Sequence, residues 1–207
     1  MPRPRFARLE PERRTAFLDV AAEEFAEHGY SGASLNRVIE TAGLSKGVFY
    51  YYFDDKADLL ATVIERSWEV MLPERPLDLE ALDERSFWPT VERLFFEVSA
   101  RTQQYPWLAG IAKLIYHPPP AAGVEDLVAQ QLGRARGWLG RLLARGQRLG
   151  VVRSDLPGGL LLAMTVAAAE AADRWMVDHW NEVDPDAFEE MARRLFATLK
   201  RIVALEP

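Results

Sequence analysis

The stretch SKGVFYYYFDDK, residues 45–56, sets Tyr50, Tyr51 and Tyr52 in a row between Phe49 and Phe53. An α-helix turns about 100° per residue, so with Phe49 at zero Phe53 returns at about 40° and the two share one inward side. Tyr50 then falls near 100°, Gly47 near 160°, Tyr51 near 200°, Val48 near 260° and Tyr52 near 300°. The outward arc carries Gly47, Val48 and Tyr51, with Tyr50 and Tyr52 on the two flanks and their hydroxyls free to reach past the helix. Packing is the commonest use of an aromatic row, but one helix cannot bury five successive aromatics against one core.

The flanking residues define a pair of short helices. Ser45 is placed to cap the aromatic helix; Asp54 and Asp55 end it and cap the next one, with Asp58 near that helix's positive end. Upstream, Ser34 caps a short helix carrying Leu35, Val38 and Ile39, which stops at Ala42-Gly43. Two short helices joined by a tight glycine turn outline a helix-turn-helix. A major groove about 12 Å wide admits one helix, so a narrow face flanked by hydroxyls suits base edges on the floor and a phosphate strand on either side. Gly47 lets the backbone come close, Lys46 and Lys56 place charge at the two ends, and the Ser34 helix terminus offers backbone donors to a phosphate.

Periodicity extends this reading along the chain. A first helix runs from Pro11 to His28 with Phe17, Val20, Ala21 and Phe25 inward, and Gly29 supplies the left-handed stop. Leu59, Leu60, Val63, Ile64, Trp68 and Met71 form a longer amphipathic helix, ended near Pro73 and Pro76. Further helices follow around Trp88–Val98, Trp107–Tyr116, Val124–Leu143, Leu156–Trp180 and from Pro185 to Val203, with no strand alternation. The expected fold is all-α with about nine helices. Residues 1–56 form a helix-turn-helix domain with a basic N-terminal arm, and residues 57–207 a connecting helix plus a helical bundle.

Composition narrows the chemistry. The chain has 207 residues, a formal charge of −6 and no cysteine, which removes disulfides, thiolate nucleophiles and Cys-based metal sites. The acidic total argues weakly against nucleic acid, yet Arg3, Arg5, Arg8, Arg13 and Arg14 face only Glu10 and Glu12 in the first fourteen residues. With no signal-like segment and no run of ~18 apolar residues, a cytoplasmic protein without a membrane partner is expected.

The segment from Phe17 to Leu60 resembles the N-terminal DNA-binding domain of the TetR family of bacterial transcriptional regulators. The resemblance rests on Phe25, Gly29, Tyr30, Ala42, Gly43, Ser45, Gly47, Tyr50, Phe53 and Lys56 in register. It implies phosphate contacts at Ser34, Tyr50, Lys56 and Tyr52. Base-edge or groove-floor contacts are implied at Asn36 or Arg37 on the helix that Ser34 opens, and at Lys46, Gly47, Val48 and Tyr51 on the helix that Ser45 opens. Ala33, Val48 and Tyr52 depart from the threonine, threonine and histidine common in the family, so the resemblance implies no base preference at those positions.

The resemblance also implies a divergent helical C-terminal part that holds an effector pocket and dimerises through its last two helices. The aromatic load suggests Trp68, Phe95, Trp107 and Ile111, with Tyr116, His117, Trp138 and Trp175, as pocket residues for a small apolar or aromatic effector. Small residues in LLLAMTVAAAEAADRW permit close helix approach, so Val166, Ala167, Leu195, Phe196, Leu199 and Val203 are expected at a homodimer interface. The implied activity is repression at a palindromic operator, relieved when the effector shifts the helix from Ala57 to Met71.

A helical enzyme or ligand carrier without DNA binding is the competing class. A di-metal bundle needs Glu-x-x-His pairs, but His28, His117 and His179 are preceded at that spacing by Phe25, Leu114 and Met176. No phosphate-binding glycine loop or nucleophile elbow occurs. No enzyme activity and no cofactor are therefore expected.

Overall fold

Periodic apolar residues, serine and aspartate caps and left-handed glycines divide the chain into helices, and the computed structural model, which describes residues 4–72, 77–121 and 123–205, carries them all. The helices are α1 (Pro11–Gly32), α2 (Leu35–Thr41), α3 (Lys46–Tyr52), α4 (Lys56–Met71), α5 (Phe87–Gln104), α6 (Trp107–Tyr116), α7 (Val124–Arg148), α8 (Gly158–Asp178) and α9 (Pro185–Val203). Short 3₁₀ turns cover Phe6–Arg8 and Trp180–Glu182. The fold is all-α, as expected; one isolated antiparallel bridge joins Val152 to Ala204. Arg3, Pro73 and Pro76 lie outside the described residues. Gly29 breaks α1 with φ 64° and ψ 179°, so the regular helix ends where the sequence predicts and one further turn leads to Gly32.

The chain divides into two compact units. The first comprises Met1–Pro73 and Thr102–Ala129, so it runs past the helix-turn-helix to take in α4, α6 and the start of α7. Its core is built on α1, whose Phe17, Leu18, Ala21, Ala22 and Phe25 are buried together with Val38, Ile39, Phe49, Phe53, Leu59, Leu60, Val63 and Ile64. α1 packs on α6, α4 and α2, and α2 on α3. Contact with α6 is close because Gly110 faces Ala26: a Cβ on Gly110 would stand 2.5 Å from the Ala26 Cβ. Phe6 closes the other end of this core, and burying one phenylalanine stabilises by about 1.5–3 kcal/mol.

The second unit comprises Glu74–Arg101 and Gln130–Pro207. Leu82, Phe87, Leu142, Leu143, Val152, Leu161 and Val203 form its central cluster, and α8 packs on α9. Gly146 admits Val152 and Phe87, whose atoms would lie 2.3 and 2.7 Å from a Cβ there. Arg145 fixes the segment before α5 by donating to the carbonyls of Leu82 (2.6 Å) and Glu80 (3.0 Å). No helix among the described residues is long and apolar enough to cross a membrane.

Candidate nucleic-acid interface

The turn between α2 and α3 is set by local hydrogen bonds. Gly43 takes φ 64°, its N–H donates to the Glu40 carbonyl (3.0 Å), and the Leu44 N–H donates to the Ile39 carbonyl (2.9 Å), a Schellman closure of α2. Ser34 Oγ accepts from the Arg37 N–H at 3.4 Å and Ser45 Oγ from the Val48 N–H at 3.3 Å, so each helix has its serine cap. α4 opens with a reciprocal cap, in which Asp55 accepts from the Asp58 N–H (2.9 Å) and Asp58 from the Asp54 N–H (3.1 Å).

On α3 the wheel is realised on its inner side. Phe49 and Phe53 are fully buried, whereas Val48, Tyr50 and Tyr51 are 36%, 52% and 47% exposed. Lys46, Gly47 and Asn36 are exposed beside them. A Cβ on Gly47 would meet nothing nearer than Ser45 Oγ at 3.9 Å, so the protein's own packing does not require glycine there.

Three residues of the expected set sit differently from their sequence reading. Tyr52 is half-buried: Phe6 packs on it with ring centroids 5.5 Å apart, and also on Phe17 (5.9 Å) and Phe53 (4.8 Å). The flank that the wheel leaves open is therefore covered by the N-terminal segment. Arg37 folds back on α1, donating from Nε to both oxygens of Glu24 (3.0 Å each) and from its terminal nitrogen to Glu24 (2.5 Å) and the Gly32 carbonyl (3.0 Å). Glu24 also accepts the Ser34 N–H at 2.6 Å, and His28 Nε2 lies 3.8 Å from its other oxygen. The Arg37 hydrogen bonds, with lesser help from Ser34 and His28, hold the Glu24 carboxyl below its ordinary range. Lys56 donates to the carbonyls of Ala33 (3.1 Å) and Ser31 (3.4 Å) and lies 4.7 Å from the Tyr30 ring centre, tying the end of α1 to the start of α4.

Sequence reasoning missed Phe6 and named its neighbour Arg5 only as one arginine of the basic arm; the Arg5 guanidinium stands 4.6 Å from the Tyr51 ring centre. The available signal was a lone large apolar residue inside an arginine-rich arm.

The residues expected around an effector divide between the units. Trp68, Trp107, Ile111, Tyr116 and His117 belong to the first, and Phe95, Trp138 and Trp175 to the second. Ile111 is fully buried in the core that α6 shares, and Trp107 nearly so. The indole nitrogen of Trp68 is buried and finds no acceptor among the described residues. Phe95 packs against Phe96 and Phe196, while Trp175 is 49% exposed and stacks on His179. A cavity of about 320 Å³ opens beside the start of α4, lined by Asp54, Asp55, Asp58 and Glu65 with Ala57, Ala61, Gly123 and Leu127. Four carboxylates make it a poor match for an apolar effector.

Among the expected interface residues, Phe196 and Val203 are buried in the second unit's own core, Phe196 between Phe95 (5.3 Å) and Phe96 (6.0 Å). Val166, Leu195 and Leu199 are half-buried and Ala167 is exposed. The exposed apolar surface of α8 is instead a stripe of Leu160, Met164, Ala167, Ala171 and Trp175, spaced to stay on one helix face.

Residues 17–63 match the profile of bacterial regulatory proteins of the tetR family. The HTH-type transcriptional repressor SCO4008 of Streptomyces coelicolor is 29% identical over 175 residues, covering 80% of this chain and 81% of that protein. The HTH-type transcriptional repressor AcnR of Corynebacterium diphtheriae is 47% identical over 47 residues, 23% of this chain and only 25% of AcnR. The solved structure of FadR from Bacillus subtilis in complex with stearoyl-CoA has the same fold, with a TM-score of 0.66 at 18% identity over 89% of this chain and 96% of that one.

Proposed function

We propose that the chain, whose residues 17–63 match the tetR family profile and which is similar over most of its length to a transcriptional repressor, is a regulator of that family: a cytoplasmic, ligand-responsive repressor that binds a palindromic operator as a homodimer and is not an enzyme. The observation that carries this reading is the outer face of α3, where Gly47, Val48, Tyr50 and Tyr51 project away from a fully buried Phe49 and Phe53. A helix presenting a glycine that its own fold does not need, beside exposed aromatics, is suited to close approach by another backbone.

In this reading Lys46, Gly47, Val48 and Tyr51 meet base edges and the groove floor, with Asn36 in the first turn of α2. Ser34, Ser45 and Tyr50 meet phosphates. Arg37, Lys56 and Tyr52 act chiefly by fixing the two helices, since each is already engaged within the unit. The operator-reading part is residues 1–56, and residues 57–207 carry the effector and dimer functions.

The exposed α8 stripe supports self-association, with Leu160, Met164, Ala167, Ala171 and Trp175 joined by Leu195 and Leu199 of α9. Two-fold pairing of helix-turn-helix domains matches a two-fold operator. An effector relieves repression by binding one disposition of α4 more tightly than the other. The apolar load of the bundle, and the stearoyl-CoA seen in the FadR structure, favour an apolar effector, with Trp68 on α4 as a residue that responds to it.

Selection of bound sites from a random duplex pool tests the whole reading. Enrichment of a palindrome is the expected outcome. Recovery of no site, or of a site without two-fold symmetry, overturns the repressor dimer.

A further inference from the structure

We infer that Arg5 is a fixed phosphate contact of the operator-binding surface, placed on the flank of α3 that Tyr52 vacates and held there by Phe6; this rests on the DNA-binding reading above. Phe6 is buried among Phe17, Tyr52 and Phe53, so the segment that carries it is anchored to the core under α3 rather than trailing from it. Arg5 is the adjacent residue, and its guanidinium lies over the exposed Tyr51 ring at 4.6 Å. Cation–π contact with an exposed ring orients the planar group while leaving its N–H edges open. Arg5 itself is exposed, and no carboxylate among the described residues pairs with it.

The distribution of charge around α3 points the same way. Two of the basic residues nearest the turn are engaged inside the unit, Arg37 by Glu24 and Lys56 by the carbonyls closing α1. Lys46 supplies positive charge at one end of α3, and Arg5 supplies it along the side. Phe6 packs on Tyr52 while Arg5 packs on Tyr51, so the arm follows the flank of α3 next to its groove-facing arc, where a DNA strand's phosphates pass when the helix lies in the major groove. A guanidinium there forms charge-assisted bonds to phosphate that a tyrosine hydroxyl only approximates.

The test is a salt titration of full-length protein on a duplex carrying a site selected with the wild type, comparing wild type with Arg5→Gln and Arg5→Lys. Each phosphate neutralised contributes about 0.9 to the slope of log affinity against log salt. Arg5→Gln is expected to lower the slope by about 0.9 per bound protomer, to weaken binding to operator and to unrelated duplex by similar factors, and to leave the melting temperature unchanged. Arg5→Lys restores most of the slope. An unchanged slope for Arg5→Gln with normal wild-type binding overturns the phosphate contact while leaving the repressor reading intact. A loss confined to particular sequences, at constant slope, overturns it in favour of a base contact. Failure of the wild-type protein to bind duplex at all sinks the underlying reading instead.

Discussion

Gly47 separates what the fold requires from what binding requires. Glycine within a helix costs about 0.5–1 kcal/mol relative to alanine, and nothing in the protein crowds a Cβ at this position. Gly47→Ala is therefore expected to raise the melting temperature while lowering operator affinity at least about fivefold, roughly 1 kcal/mol; a variant that gains stability and binds as before removes the close-approach role. Tyr50 and Tyr51 differ in the same experiment. Tyr50→Phe deletes one hydroxyl and should weaken all duplexes alike by a few-fold, whereas Tyr51→Ala should also change which sequence is preferred in a repeated site selection. The inward pair Phe49 and Phe53 was legible because one helix wheel contains all the information needed. Tyr52 was not, because the residue that covers it, Phe6, lies 46 positions upstream by number and no single-helix periodicity refers to it. The Arg37 ion pair was not readable for the same reason, since its partner Glu24 sits on another helix.

At the scale of helices, the boundaries were readable because each is fixed locally. Ser34, Ser45 and Asp55 cap the helices they precede, and Gly29 and Gly43 take the left-handed conformation that ends them. How α2 is held against α1 was not readable, and it depends on the Glu24 carboxylate, which binds Arg37 and the Ser34 N–H together. Glu24 titrates lower in the folded protein than its ordinary value of 4.5. Its stabilisation is thus fully present above about pH 4.5 and is lost as pH falls through the lower folded value. Glu24→Gln is expected to cost about 1 kcal/mol at neutral pH, a modest figure because Arg37 is half exposed to solvent. In melts carried from pH 7 into acid the difference between variant and wild type should narrow as the carboxylate is protonated. A gap that stays constant across the acid range would place the effect in packing and not in the ion pair.

For the whole molecule, the sequence conveyed that the last two helices approach something closely, through the small residues of α8, but not which face does so. The apolar residues of α9 share one arc of that helix but differ in burial: Phe196 and Val203 complete the second unit's own core, while Leu195 and Leu199 stay half-buried. Only packing decides that division, because every one of these residues satisfies the same 3.6-residue period. The face left over is the α8 stripe, and Met164 lies within it at 43% exposure. Met164→Glu adds a carboxylate that solvent accommodates in a monomer but that a two-fold contact would confront with its own copy near the axis, in an apolar setting. The variant should therefore keep its helical spectrum and melting behaviour at low concentration yet sediment as a monomer at micromolar concentration. Because two linked half-site contacts gain roughly 10²–10⁴ in apparent affinity over one, it should also lose at least about 100-fold in binding to the selected palindrome while holding a single half-site nearly as well as wild type. A Met164→Glu protein that remains dimeric, or one that is monomeric but binds the palindrome undiminished, would break the link between this stripe and operator recognition.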